Sequence, residues 1–350
     1  MLSTQGRFLV WSAEEERYWF LSARDGIDRF RRLAAGHEDK CSFQEIARSA
    51  TGLPVHAFRL GSGPKKIALI SGMHGCEPSG PRGLLSYLDA LINGTRPFGF
   101  EVDPEKTLEG VTLCVIPLMN PGGAERFSWH YPGCWHGTWL RRWDAAEQMK
   151  FFAEANEPEH FLYGSYVKKA PMRFTPDQIA RWESTGNVIG SSLTDAGLDM
   201  WFDWDESYGP ETRGTKALFE AVKPQTIVDF HNFMYPTEVF APTVYSRGAP
   251  AAEERALAEG IQQAWRHRSI LFHDRPPRPY PKPAEKYYED YWFHGLGARC
   301  LIIEENGGEL STAGAEYEPT PGARPLTRRE SLATVFVAAD AIVNHIIDDA

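Results

Sequence analysis

Four apolar runs, at residues 66–71, 111–117, 225–230 and 298–303, constrain this chain more than any other feature. Each is short and rich in Val, Ile and Leu, the signature of strands buried in a parallel sheet. Between the first two lies a helical pattern. Pro78 suits the first turn, Leu84, Leu85, Tyr87, Leu88, Leu91 and Ile92 recur with helical spacing, and Asn93-Gly94 closes it. Strand, helix and strand in this order make a βαβ unit, which is right-handed. The expected fold class is α/β: a twisted, mixed, mostly parallel sheet of about eight strands flanked by helices.

Open α/β sheets carry their chemistry at the C-terminal ends of their strands. Here those ends carry His74 and Glu77, the Asn120-Pro121-Gly122-Gly123 turn, His231, and Glu304-Glu305. Two histidines and a glutamate are a standard protein set for catalytic zinc, which keeps a fourth position for water. Asp229 lies two residues before His231 and shares its face of the strand, so it is read as a support for His231 or as structural. Glu304 and Glu305 project to opposite sides, so only one can face a metal.

Composition narrows the partners. A net charge of −10 disfavours nucleic acid and anionic membrane surfaces. No apolar run approaches a membrane span, and the N-terminus lacks the basic and apolar regions of a secretory signal. The cysteines, Cys41, Cys76, Cys114, Cys134 and Cys300, are odd in number and form no CxxC pair. A disulfide framework or thiolate zinc site is therefore not expected, and a cytoplasmic location fits. Cys76, between His74 and Glu77, reads as small filler.

Elsewhere, Ser12 and Glu15 form a capping box, and Ile27, Phe30, Leu33 and Ala34 make one face of a helix that Gly36 stops. Residues 1–50 are expected to be a helical segment packed on a catalytic domain of residues 51–350. Residues 54–60 alternate as an edge-type strand. From about 127 to 196 the chain is irregular and aromatic-rich, as in a long functional insertion. Helices are expected at 210–222 and 251–266, loop at 273–289, and a C-terminal helix with Leu332, Val335, Phe336, Ala339, Ile342, Val343 and Ile346 on one face.

HGCE at 74–77, NPGG at 120–123, GLD at 197–199, PETRG at 210–214, VDFHNF at 228–233 and IIEENGG at 302–308 occur in one order. In that order the chain resembles the zinc carboxypeptidase family, within the metallocarboxypeptidase superfamily that also holds the aspartoacylase and succinylglutamate desuccinylase branch. The resemblance implies a single zinc ion on His74, Glu77 and His231, a ligand set already known for carboxypeptidase A. It implies Glu304 as the general base that takes a proton from the attacking water and hands it to the leaving group, and Asp199 as the carboxylate orienting the first histidine. Arg142 or its neighbour Arg141, with Arg126 as a further candidate, would stabilise the oxyanion. Tyr280, or else Tyr287 or Tyr288, would be the active-site tyrosine. One departure stands out. Where the family carries an Asn-Arg pair that clamps a substrate carboxylate, this chain has Trp201 and Phe202, which with Asn120 become candidate substrate contacts. The implied activity is hydrolysis of an amide bond in a peptide, with an N-acyl amino acid deacylase or an inactive zinc-containing binding homologue as alternatives.

Overall fold

The computed structural model describes residues 12–75, 77–126, 194–196, 198, 200, 201, 203–205, 207–232, 237–243, 245–279, 288, 291–305 and 326–348. Among these, β1 (Cys41–Arg48), β2 (Pro54–Leu60), β3 (Lys65–Ser71), β4 (Val111–Ile116), β5 (Thr226–His231), β6 (Glu238–Phe240) and β7 (Arg299–Glu304) form one sheet of 7 strands, ordered β1-β2-β4-β3-β5-β7-β6. The central β4, β3, β5 and β7 run parallel, and β1, β2 and β6 join antiparallel at the flanks. The central strands are the four apolar runs of the sequence.

Three strands differ from expectation. Pro54–Leu60 is not at the edge, because β1 pairs along its outer side. β1 escapes a periodicity reading because it is the edge: most of its residues are partly or fully exposed, and an edge strand tolerates charge. β6 has 3 residues, too few to show any period.

The helices follow their local signals. In α1 (Ala13–Tyr18) the Ser12 hydroxyl accepts from Glu15 N at 3.1 Å while the Glu15 carboxylate accepts from Ser12 N at 3.0 Å. α2 (Ala23–Ala34) gives way to Gly36, and α3 (Ser79–Asn93) stops at Gly94 with φ +66°, a left-handed cap that suits glycine. α4 (Pro104–Gly110) and α5 (Pro121–Arg126) flank β4, so the NPGG turn opens a short helix. α6 (Pro210–Val222), α7 (Gly248–His267) and α8 (Arg328–Asp348) are the remaining α-helices among the described residues.

The sheet separates two cores. On one face the N-terminal helices, α3, α7 and α8 cover Ile67, Leu69, Val228, Phe230, Leu301 and Ile303. On the other, Ala68, Ile70, Cys114, Ile116 and Ile302 meet an aromatic layer of Trp201, Trp204, Phe219, Tyr288 and Trp292. Within it Trp204 and Trp292 cross edge to face, with ring centres 5.2 Å apart. Of the helices described, α8 is long and apolar enough to cross a bilayer by length and composition, contrary to the sequence reading. It is instead a core helix, since its apolar positions are buried against α3 and α7. The α3–α8 contact is close: a Cβ on Gly83 would lie 2.3 Å from Val335 Cβ.

Candidate active site

β3 ends at Ser71, and the chain turns through Gly72, whose φ is +66°. The β4–α5 turn clamps the loop that follows. Met119 N donates to Ser71 O at 3.0 Å and Asn120 N to Gly72 O at 2.9 Å. The Asn120 amide donates to Met73 O at 3.2 Å and accepts from Gly123 N at 2.8 Å. Asn120 is fully buried, and these bonds make it a tie between the two loops. Gly75 presses on α5, where a Cβ would stand 2.3 Å from Ala124 N. The loop therefore presents His74 and Glu77 from a fixed backbone.

His231 ends the neighbouring β5, and its position is pinned by Asn232, whose side-chain oxygen accepts from Ser79 N at 2.8 Å. The three side chains converge. His74 Nδ1 lies 2.8 Å from Glu77 Oε1, and His231 Nδ1 lies 2.9 Å from Glu77 Oε2. One donor atom from each lies within 4.8 Å of the others, and all three residues are buried. A carboxylate flanked by two imidazole nitrogens fits the borderline-soft zinc ion and its small tetrahedral shell.

Behind His231, Nε2 lies 2.6 Å from Asp229 Oδ2. This bond fixes the ring with Nδ1 directed at Glu77 and raises its basicity. Burial disfavours a charged imidazole, but the Asp229 and Glu77 carboxylates outweigh it and raise the His231 pKa above the ordinary histidine range.

Glu304 pairs with His231 across the parallel β5–β7 ladder, so both side chains leave the same face of the sheet. Glu304 is 1% exposed. Glu305 goes to the opposite face, among Ser79, Ser331 and Arg82 between α3 and α8, where burial pushes its carboxyl well above the usual range. The ambiguity between the two glutamates thus resolves in geometry: Glu304 faces the metal side.

Trp201 stands against the metal cluster. Its ring centre is 4.7 Å from that of His74 and 5.8 Å from that of His231. Tyr288 donates its backbone N–H to Trp201 O at 3.0 Å, and its ring is fully buried 6.3 Å from His231. Asp199, Phe202, Arg141, Arg142, Tyr280 and Tyr287 lie outside the described residues, as does the side chain of Arg126.

The zinc carboxypeptidase family model matches residues 27–234, more than half of the chain. The chain belongs to the zinc carboxypeptidase family. The match includes His74, Glu77 and His231, and the family's dependence on zinc agrees with the donor set they form. The fold agrees as well. A metallo-carboxypeptidase from Burkholderia cenocepacia superposes with a TM-score of 0.60 at 15% identity, over 93% of this chain and 70% of the other. Bovine thrombin-activatable fibrinolysis inhibitor, solved with a tick carboxypeptidase inhibitor, gives 0.56 at 12% identity, over 96% and 100%. A metallo-carboxypeptidase from Pseudomonas aeruginosa gives 0.54 at 14%, over 91% and 69%. No curated protein matches the sequence in a direct comparison. As a member of this family the protein is a hydrolase of metallopeptidase type.

One feature of this family member had no signal in its sequence. Glu238, on β6, sits directly opposite Glu304 in the antiparallel β6–β7 pair. Its carboxylate is gripped by Arg275 and Arg278, which follow it by 37 and 40 residues. Residues so far apart form no local pattern. Asp229 did have one, the two-residue spacing to His231.

Proposed function

We propose that this protein hydrolyses an amide bond in a peptide, with one zinc ion held by His74, Glu77 and His231 and with Glu304 as general base. The observation that carries this reading is the register of β5 with β7, which sets Glu304 beside His231 on the face where the three donor atoms converge. When bound, zinc supplies a Lewis acid for the carbonyl oxygen and acidifies the water it holds. Glu304 then has one task in two steps. Its carboxylate takes the proton of the attacking water, and the resulting carboxylic acid returns a proton to the departing nitrogen. Burial limits bulk water around this carboxylate, which strengthens its interactions with the reacting atoms. Asp229 holds His231 in the orientation that leaves Nδ1 for the metal. Stabilisation of the oxyanion by Arg142 or Arg141 belongs to this reading through the family resemblance.

A second reading, an N-acyl amino acid deacylase, shares every one of these residues. Trp201 favours it: an indole packed on His74 offers an apolar wall to an acyl chain where the family carries a carboxylate clamp.

The test is a Glu304→Gln variant assayed with zinc content in parallel. It should hold zinc at wild-type stoichiometry and lose about 10²–10⁴-fold in kcat, the range expected for a lost general base. Wild-type turnover in this variant would remove Glu304 from the mechanism. A panel of C-terminally free peptides, C-terminally blocked peptides and N-acyl amino acids separates the two readings, and no hydrolysis of any by the fully zinc-loaded protein would overturn both.

A further inference from the structure

We propose that Arg275 and Arg278 form a recognition subsite for a carboxylate of the substrate, beside Glu304. The proposal rests on the hydrolase reading above and specifies what that site selects. Residues directly opposite in an antiparallel pair project to the same face, with Cβ atoms about 4.5–5.5 Å apart. Glu238 and Glu304 are such a pair, and Glu304 is itself level with His231. The Glu238 cluster therefore borders the catalytic carboxylate, on its side away from the metal ligands.

That cluster carries excess positive charge. Arg275 Nε donates to Glu238 Oε1 at 2.7 Å and its Nη2 donates to Oε2; Arg278 Nε donates to Oε1 at 2.9 Å and its Nη2 reaches Oε2 at 3.4 Å. One buried carboxylate thus faces two guanidinium groups, where one would balance it. His273, 3.9 Å away, adds no charge at neutral pH, because burial and the two arginines hold its pKa below the usual value. Among the described residues no second acid meets either arginine.

The geometry is that of a prepared anion site. Both arginines spend the Nε–Nη2 edge on Glu238, so Nη1 of each remains for a ligand, and their side chains keep 32% and 39% exposure. Their backbones are anchored: Arg278 O accepts from Ala241 N at 3.1 Å, Arg275 O accepts from the Gln262 amide at 2.9 Å, and the Arg278 guanidinium covers the Phe240 ring at 5.3 Å. Glu238 acts as the buttress that holds two forks in place, so little side-chain entropy is lost when an anion docks. A carboxylate is the matching ligand, since guanidinium groups bind it through paired hydrogen bonds. The need for such a site is independent of the cluster. With Trp201 packed on His74, the sheet end offers an aromatic ring where a clamp would otherwise meet a carboxylate.

The experiment uses the zinc-loaded protein and two readouts. In calorimetric titrations N-acetyl-L-glutamate should bind at least tenfold more tightly than the uncharged N-acetyl-L-glutamine amide. Equal binding of the two by the wild type overturns the proposal without recourse to any variant. Arg278→Gln, and the charge-balanced Arg275→Gln/Glu238→Gln pair that leaves no buried acid unpartnered, should each reduce that preference at least tenfold. An unchanged preference in both, with wild-type melting temperatures, also overturns it. In the second readout, acyl dipeptides ending in Glu, in Gln and in Gln amide are compared. Cleavage of the first two alone assigns the subsite to the terminal carboxylate, and of the first alone to an acidic side chain, with the loss in the variants lying in KM; equal kcat/KM for all three overturns it. Failure to cleave any of them sinks the hydrolase reading, while the titrations still decide the subsite.

Discussion

Asp229 is the residue through which β5 acts on its own ligand. It stands two residues before His231, fully buried, and its carboxylate meets Nε2 at 2.6 Å. Replacing it with Asn keeps the shape and removes the charge. Zinc affinity should fall about 10–100-fold, the usual cost of losing such a support, read by competition with a chromophoric chelator. Wild-type affinity in Asp229→Asn would mean that the ring is held by packing alone. Trp201 offers a second residue-scale check. Its indole packs on His74, so Trp201→Ala should lower stability by about 3–5 kcal/mol, as truncation of a large buried aromatic does, in a denaturant titration of the metal-free protein. A loss under 1 kcal/mol would show that Trp201 is not part of the packed core.

At the scale of elements, the ligand loop depends on how closely it lies on α5. A methyl group at Gly75 would meet Ala124 N at 2.3 Å and Gly123 C at 2.3 Å, both backbone atoms that cannot swing aside. Gly75→Ala should therefore move His74 and weaken zinc binding at least tenfold. Gly83→Ala, which meets Val335 on the far side of the sheet, should cost about 1–3 kcal/mol of stability and leave zinc affinity intact. The contrast between the two variants separates a fault in the site from a fault in the core; equal effects on zinc would refute the assignment of Gly75. The same scale explains why Glu304 and Glu305 differ. A single step along β7 moves a carboxylate from the metal face to the α3–α8 interface, because strand side chains alternate.

Across the whole molecule, Glu211 is one buried acid through which pH acts on stability. This residue opens α6, is fully buried, and has its carboxyl pushed up to about 7, first by burial and then by Asp195 and Asp203. In the unfolded chain it titrates near 4.3. Between those values the folded protein keeps a proton that the unfolded chain has lost, so stability falls as pH rises from about 4.3 to about 7 and the penalty is constant above. The contribution is of order 4 kcal/mol, at about 1.4 kcal/mol per pH unit. Glu211→Gln should flatten this part of the stability–pH curve, measured by urea unfolding from pH 4 to 8. An unaltered slope would show that other groups set it.

Strand–helix–strand order and the four buried runs were legible in the chain because they are local: an apolar run and a helical period can each be read within about ten residues. The same holds for the caps at Ser12 and Gly94 and for the ligands His74, Glu77 and His231, which stand at strand ends where an open sheet gathers them. β1 was not legible, because an edge strand need not bury either face fully, and β6 was too short. The order of the sheet, the register that levels Glu304 with His231 and Glu238 with Glu304, and the grip of Arg275 and Arg278 on Glu238 were decided only by tertiary structure. Residue periodicity specifies which side chains share a face of one strand. Which strand becomes the neighbour, and at what offset, depends on the packing of helices on both sides of the sheet. By itself, then, the sequence determined the class of fold and pointed to His74, Glu77 and His231 as candidate metal ligands; only the tertiary structure brought their donor atoms together, set Glu304 rather than Glu305 on their face of the sheet, and carried two distant arginines to the edge of the candidate site.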